Sequence, residues 1–293
     1  MVESAVAAIV VTHNRRNVLE HTLAAVTGQT CTPGRVCVVD NASEDGSEAM
    51  VRSHFPDVDY LHLADNSGPA GGFAAGLRHL AGGPFEYLWF LDDDSRPSPN
   101  ALERILDVSR RLPQSGAVGL DGGRLRWGVP RHGEYRVSPL DLPGAGPVRP
   151  CDFVLWDGAV IPSRVVSEVG YPREELFIMM EDVEYTNRIR RAGWEVVCLQ
   201  EALIERAHLG SGGAGSSSLP PPWRGYYQTR NHLLVIREHH SVCELAAWLW
   251  RLSKQLVATV VVLDRRRERL RMRLLGAWHG VIKVSGRRVE PGS

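Results

Sequence analysis

The chain has 293 residues, 34 basic and 34 acidic side chains, and a formal net charge of zero. That length holds one large α/β domain or one domain with a smaller appendage, and 43% hydrophobic content supports a sizeable core. The neutral balance excludes bulk charge as a basis for nucleic-acid binding, and five scattered cysteines without a CxxC pair argue for reduced thiols in a cytosolic protein and against a zinc site.

The opening stretch, MVESAVAAIVVTHNRR, lacks a basic leader and a small-residue cleavage site, so residues 5–12 read as a buried strand rather than part of a signal peptide. A helix is predicted over 14–29 and a second strand over 35–43. Ser43 and the acids after it predict a helix over 43–55. A third strand over 58–64 leads to a glycine-rich turn and a helix ending near residue 82. The apolar run Tyr87–Leu91 is a fourth strand, and Pro99 starts the next helix. This alternation predicts an α/β fold with a doubly wound, mostly parallel sheet and helices on both faces. Ligands of such sheets bind outside the carboxyl ends of the strands, which places Asp40 and Asp92–Asp94 in one crevice.

From about residue 117 the pattern loosens. Residues 122–137 suggest a hairpin or extended segments, and 139–150 a Pro/Gly-rich loop. Residues 151–170 read as strand, turn and short helix, 181–193 as a helix closed by Gly193, and 194–199 as a strand. The stretch GSGGAGSSSLPPP, 210–222, is a flexible loop or lid, and the rest is mainly helical. No uninterrupted apolar run reaches about eighteen residues, so no spanning helix is expected.

Several residue patterns carry chemistry. Three adjacent carboxylates, Asp92, Asp93 and Asp94, repel one another, and a divalent cation relieves that cost. In an extended segment Asp92 and Asp94 point the same way and can share the ion, with Asp93 turned toward a ribose or sugar. The alternative is an acidic turn in solvent. Asp40 is either a turn or cap residue or a hydrogen-bond partner for a base or ribose. In the loop 66–76, Asn66, Gly71 and Gly72 stand where a helix begins. Small residues there either offer backbone N–H groups to phosphate or permit close helix–sheet packing. Asp182 follows the apolar run LFIMM and is a candidate general base, whereas Glu184 is accounted for by an i,i+4 pair with Arg188. His208 is a structural histidine or a third metal ligand, and Trp156 a core residue or a platform for a sugar ring. Leu245, Trp248, Leu249, Leu252 and Leu256 share a helical face, and DRRRERLRMR follows. That pair of segments is a core helix with a solvated basic helix, or an interfacial anchor for an anionic membrane over 242–273.

Taken in order, VVTHNR, VVDNASEDGS, NSGPAGGFAAG, WFLDDDS, LWDGAVIP, MMEDVEYTNRIRRAG, RAHLGS and YYQTRNHLLVIR resemble glycosyltransferase family 2, the inverting GT-A nucleotide-sugar transferases, over about residues 6–237. The glycine loop, the full DDD and YYQTRN look closest to the bacterial galactofuranosyltransferase and rhamnosyltransferase branches. The resemblance implies a GT-A catalytic domain over 1–237, with a nucleotide-sugar half to about 116 and an acceptor half after it, followed by a helical, basic extension over 238–293. It implies that Thr12, Arg15, Asp40, Asn66, Gly71, Gly72, Asp92 and Asp93 bind the nucleotide-sugar. Asp92, Asp94 and His208 would hold Mg²⁺ or Mn²⁺, and Asp182 would be the base. Trp156, Asp157 and Glu181 would face the acceptor. The implied donor is a UDP- or dTDP-sugar, and the acceptor a hydroxyl of a glycan, a lipid-linked sugar or a natural product. The implied location is cytoplasmic, with possible contact to the inner face of the membrane. Two departures stand out: Pro69 replaces a small residue or glycine, and one tryptophan rather than two precedes Asp157–Gly158. A sugar nucleotidyltransferase shares the sheet type but wants a basic, glycine-rich phosphate loop by the first strand, where this chain has THNRRN. A non-catalytic sugar-binding module is the third possibility, and it needs no base at Asp182.

Overall fold

The computed structural model describes residues 5–206, 220–238, 241–261 and 265–291. The chain begins β1 (Val6–Thr12), α1 (Arg16–Thr27), β2 (Arg35–Asp40), α2 (Ser47–His54), β3 (Asp59–His62), α3 (Gly68–Leu80) and β4 (Tyr87–Asp92). It continues β5 (Ser95–Pro97), α4 (Ala101–Arg111), β6 (Ser115–Gly119), β7 (Gly122–Arg126), β8 (Val129–His132), β9 (Val148–Pro150), β10 (Phe153–Val154) and β11 (Val160–Pro162). The remaining elements are α5 (Ser163–Val169), a 3₁₀ turn (Glu174–Leu176), α6 (Glu181–Arg191), β12 (Glu195–Leu199), β13 (Ile204–Arg206), α7 (Pro222–Glu238), α8 (Val242–Val261) and α9 (Arg266–Val281).

The main sheet has the order β3-β2-β1-β4-β11-β6-β12-β9. β1 pairs in parallel with both β2 and β4, while β11 and β9 run against their neighbours. The expected mostly parallel α/β sheet is thus present, and it continues through both halves of the chain. Every residue of β1 is buried, as a strand covered on both faces must be. Val6, Ala8 and Val10 face Leu19, Leu23 and Ile105. Ala7, Ile9 and Val11 face Phe73, Leu77 and Ile189. The period of two in β1 therefore divides one apolar run between two cores.

The glycines of α3 explain how that helix lies on the sheet. A Cβ on Gly72 would sit 2.6 Å from Val11 Cγ1, and one on Gly76 would sit 2.7 Å from Ile9 Cγ2. A Cβ on Gly71 would come within 2.5 Å of the Ser67 side chain. Close packing is the visible role of Gly71 and Gly72 in this structure. Asn66 accepts from the Gly68 N–H at 2.9 Å and closes the turn into the helix.

Local details differ from the sequence expectation. α2 starts at Ser47, not Ser43, because the Ser43 N–H and hydroxyl both bond to Asp40. Asp45 instead accepts from the Ser47 N–H, at 3.2 Å. Residues 122–137 do contain a hairpin, β7–β8, turned by Trp127 and Gly128, both at positive φ. Gly193, at φ +99, closes α6 as expected. Among the described residues no helix is long and apolar enough to cross a membrane.

α7 carries an unusual buried polar run, Thr229, Arg230, Asn231 and His232. α9 packs closely along it: a Cβ on Gly276 would lie 2.4 Å from the Tyr226 carbonyl oxygen. The residues expected to form a separate extension are thereby packed against α7, the last element of the expected 1–237 domain. On α8, Trp248 is buried with Leu233 and Ile236, while Leu245 and Leu249 are exposed. The expected apolar face is therefore split between core and solvent. Of the arginines after it, Arg269 bonds to the Pro220 carbonyl and Arg273 to Gln255, so part of the basic run turns inward.

The glycine packing makes a direct prediction. Gly72→Ala should lower unfolding stability by about 1–3 kcal/mol, read from urea titration, because the β1 side chains have nowhere to move.

Candidate active site

The strand order places a switch point between β1 and β4, whose carboxyl ends flank a crevice. Thr12 ends β1 and Asp92 ends β4. Asp93 and Asp94 then form a tight turn into β5, held by the Asp92 N–H donating to Ser95 Oγ at 3.1 Å. The turn replaces the extended segment in which side chains would alternate. Asp93 and Asp94 consequently turn toward the same cation. Arg15 donates to Asp93 at 2.5 Å and to Asp94 at 3.1 Å. Thr12 Oγ1 donates to Asp93 at 2.9 Å. Asp93 is 4% exposed, so in this structure it ties β1 to the turn instead of facing a ribose.

Asp157 arrives from another direction. β11 is antiparallel to β4, so the turn before it lies at the carboxyl end of β4, where Gly158 donates to the Phe90 carbonyl at 2.8 Å. Ser95 Oγ and Arg206 both bond to the Asp157 carboxylate. Arg206 is delivered there because β13 pairs with β5, with Arg206 opposite Ser95.

Four carboxylates, Asp92, Asp93, Asp94 and Asp157, thus face two guanidiniums, Arg15 and Arg206. The cluster is short of positive charge. Burial, then repulsion from Asp157, Asp94 and Asp93, holds the Asp92 carboxyl well above the usual carboxylate range. Burial raises Asp93 to about 6, against the pull of Arg15 and Thr12. No described residue donates a hydrogen bond to the Asp92 carboxylate. A free hard-oxygen ligand in a net negative, partly buried cluster fits a dication. Among the described residues no three such side chains converge on a metal position. His208, expected as a third ligand, and residues 210–219 of the lid sequence lie outside the described residues.

The second half of the site comes from α6. Three non-glycine residues before it, Phe177, Met179 and Met180, have positive φ of 67°, 71° and 75°. Such conformations cost about 1–3 kcal/mol each and persist where surroundings enforce them. The enforcement comes from α7. The Asn231 side-chain amide donates toward the carbonyls of Leu176, Ile178 and Met179 at 2.8, 2.9 and 2.8 Å. Arg230 adds a bond to the Leu176 carbonyl at 3.1 Å. The held loop delivers Glu181 and Asp182 to the mouth of the sheet.

A cavity of about 440 Å³ unites the two halves. Asp92, Asp157, Glu181 and Asp182 line it, with Arg206 and Arg224 among the facing cations. Burial raises the Asp182 carboxyl to about 6, offset by the Val183 N–H and by His132 and Arg206. Burial, then Asp182, holds Glu181 well above its usual range. Glu181 Oε2 and Arg224 Nε are buried without a hydrogen-bond partner, so the wall has bonding capacity to spare for hydroxyls. Trp156 lines the cavity but is 4% exposed, and its ring packs against Phe73, Phe90 and Tyr185. Core packing occupies most of it. Glu184 pairs with Arg188 at 3.0 Å, as its spacing implied.

Asp40 lies at the end of β2 on the other side of β1. It is 1% exposed and accepts from Ser43, from Tyr60 at 2.7 Å, and from His62 Nδ1 at 2.9 Å. The turn role is the one visible in the structure. Sequence reasoning missed Arg206, Arg224 and Asn231. For Asn231 a signal existed: an amide beside an arginine inside the helix YYQTRNHLL must find partners when buried.

The fold is the one shared by GT-A glycosyltransferases of known structure. The mannosyltransferase PcManGT from Pyrobaculum calidifontis, solved with GDP-Man and Mn²⁺, superposes with a TM-score of 0.59 at 16% identity, covering 95% of this chain and 87% of that one. A family model described as Glycosyl transferase family 2 matches residues 7–121. Galactofuranosyltransferase GlfT1 of Mycolicibacterium smegmatis is 30% identical over 199 residues, covering 64% of this chain and 66% of that relative. The N-acetylglucosaminyl-diphospho-decaprenol L-rhamnosyltransferase of Mycobacterium tuberculosis is 25% identical over 239 residues, covering 68% of this chain and 76% of the relative. The chain thus spans just under two thirds of the first of these relatives.

Asn231→Leu tests the clamp. One buried and two part-buried carbonyls would lose a donor, so stability should fall by about 1–3 kcal/mol in chemical unfolding. Asp92→Asn should do the reverse. Removing charge from the crowded cluster should raise the thermal midpoint by about 2–4 °C, read by scanning calorimetry.

Proposed function

We propose that this protein is a metal-dependent inverting glycosyltransferase that moves a galactofuranose- or rhamnose-like sugar from a UDP- or dTDP-sugar to an acceptor hydroxyl. The observation that carries the reading is the single cavity holding Asp92 on one side and Asp182 on the other. The names of the relatives support the sugar class, and the match to an Mn²⁺-containing transferase supports the cofactor class.

Asp92 and Asp94 would hold Mg²⁺ or Mn²⁺, with His208 as a further ligand. The bound ion would offset negative charge on the departing nucleoside diphosphate. Thr12 and Arg15 hold the β1 edge of the nucleotide pocket through Asp93 and Asp94, and Asp40 keeps the end of β2 in shape beside it. Asn66, Gly71 and Gly72 bring the start of α3 close to that edge. Asp182 removes the proton from the attacking hydroxyl. Burial suits it to this task, because a carboxyl titrating at about 6 is ionised at neutral pH yet more basic than an ordinary aspartate. Glu181 and Arg224, with unmet hydrogen bonds, position the acceptor; Asp157 fixes Arg206 beside it, and the edge of Trp156 closes the wall. Attack from the face opposite the leaving group inverts the anomeric centre in one displacement.

The exposed apolar residues of α8, Leu245, Leu249, Val257 and Val260, support a peripheral membrane contact, with the exposed Arg266, Arg267 and Arg271 of α9 nearby in sequence. Sedimentation with anionic but not zwitterionic vesicles at low salt is the expected result, and its absence would reduce this face to a solvated one.

Two measurements test the enzyme. Asp182→Asn should retain nucleotide-sugar binding and lose transfer by about 10²–10⁴-fold, measured as free nucleoside diphosphate released. An unchanged rate would remove Asp182 from the base role. In the native enzyme the base form exists above its pKa, so the rate should rise with pH through about 6 and then level. A pH-independent rate between 5 and 8, at saturating metal, contradicts this assignment.

A further inference from the structure

A second concavity of about 850 Å³ adjoins the candidate active site. It lies between the β7–β8 hairpin and α8, and it shares Pro130 and Arg251 with the cavity that holds Asp182. Its lining contains five cations, Arg124, Arg126, Arg131, Arg251 and Lys254, and no carboxylate among the described residues. Arg126 is paired with Glu134 at 3.2 Å. Two tryptophans flank the cations, Trp127 at 71% and Trp250 at 66% exposure. Lys254 lies 5.6 Å from the Trp250 ring centre.

The groove is a built feature. His232 of α7 bridges its two walls. Its Nε2–H donates to the Gly128 carbonyl at the hairpin tip, at 2.8 Å, which leaves Nδ1 to accept from Arg251 Nη1 at 3.4 Å. Arg251 is thereby held at the junction of groove and cavity. Burial pushes its pKa down to about 10, and the neighbours that act on it electrostatically, Arg273 and Arg131, are both cations and push the same way. A half-buried arginine among cations, opening onto a cavity, has anion-binding capacity that the described protein groups do not use.

The groove also lies on the correct side of the reaction. His132 of β8 acts on Asp182 electrostatically, so the hairpin flanks the base rather than the β1 edge where the nucleotide would sit. We propose that the groove between the β7–β8 hairpin and α8 is an anion subsite. It takes the phosphate or diphosphate group of the acceptor, with Arg251, Arg131 and Lys254 as its ligands and Trp127 and Trp250 covering the adjoining sugar or alkyl part. The assignment of the anion to the acceptor rests on the transferase reading above. Guanidinium and ammonium groups then supply charge-assisted hydrogen bonds to phosphate oxygens, and the acceptor hydroxyl is carried past Arg251 toward Asp182.

The test is calorimetric titration of the full chain with inorganic pyrophosphate, at low salt and in EDTA so that no metal bridges the anion. Binding is expected, and it should weaken by about tenfold in Arg251→Gln and in the double variant Arg131→Ala/Lys254→Ala, each losing charge-assisted bonds. Arg131 and Lys254 are exposed, so the double variant reports even if Arg251→Gln unfolds. No pyrophosphate binding, or equal affinity in all three proteins, overturns the proposal. Sedimentation with phosphatidylcholine vesicles containing phosphatidylglycerol separates the sources. Vesicle binding that depends on the same residues, without pyrophosphate binding or competition, would assign them to a lipid surface and overturn the subsite. Pyrophosphate binding with the expected losses, in a protein that releases no nucleoside diphosphate from any donor, would sink the transferase reading and leave the anion site standing.

Discussion

The structure turns on uncompensated negative charge at the end of β4. Asp92, Asp93, Asp94 and Asp157 come within reach of one another and meet two guanidiniums. Burial makes this arrangement costly, because charged carboxylates lose water and gain repulsion. Raised carboxyl pKa values are the thermodynamic mark of that cost. A group whose folded pKa lies above its unfolded value favours the folded state at low pH, and that advantage is lost as pH rises from about 4 to about 6 for Asp93 and Asp182. The site therefore works against the fold at neutral pH, and the two cores either side of β1 have to outweigh it.

Everything around the cluster serves to keep the carboxylates where they are. β11 enters antiparallel to β4 and so presents Asp157 to the strand end. β13 pairs with β5 and brings Arg206. Arg15 holds Asp93 and Asp94 from the β1 side. On the facing wall, the left-handed segment before α6 is pinned by Asn231, which fixes where Glu181 and Asp182 project. A strained loop clamped by a buried amide is a way to place two acids beside other acids without letting them relax apart. α7 thus belongs to the architecture of the cavity, and α9, packed along it, supports it from behind.

Much of the site was legible from local pattern. The strand YLWFL had to end at the crevice, and Asp92 does. Asp182, after an apolar run and before a helix, does reach the same cavity. Asp93 was harder to read, because the alternation rule holds within a strand and β4 stops at Asp92. Asp40 had two readings, and Tyr60 and His62 of the neighbouring strand, which supply the deciding hydrogen bonds, are twenty or so residues away. Gly72 was ambiguous for the same reason: whether a missing side chain admits a phosphate or a strand depends on what lies opposite, here Val11 of β1. Arg224 and Arg251 carried no motif, and Arg206 opened the stretch RAHLGS, in which the histidine drew the reading.

By itself, the sequence determined the α/β order, the apolar strands, and the positions of the acids at strand and helix ends. These follow from periodicity and from neighbours within a few residues, which the chain carries locally. The tertiary structure decided which acids share a cavity, which cations oppose them, and that α7 and α8 contribute to its walls. Those are matters of burial and of distance across the fold, and electrostatic energy depends on both. A linear chain states which charges it has, and the fold alone states which of them must face one another out of water.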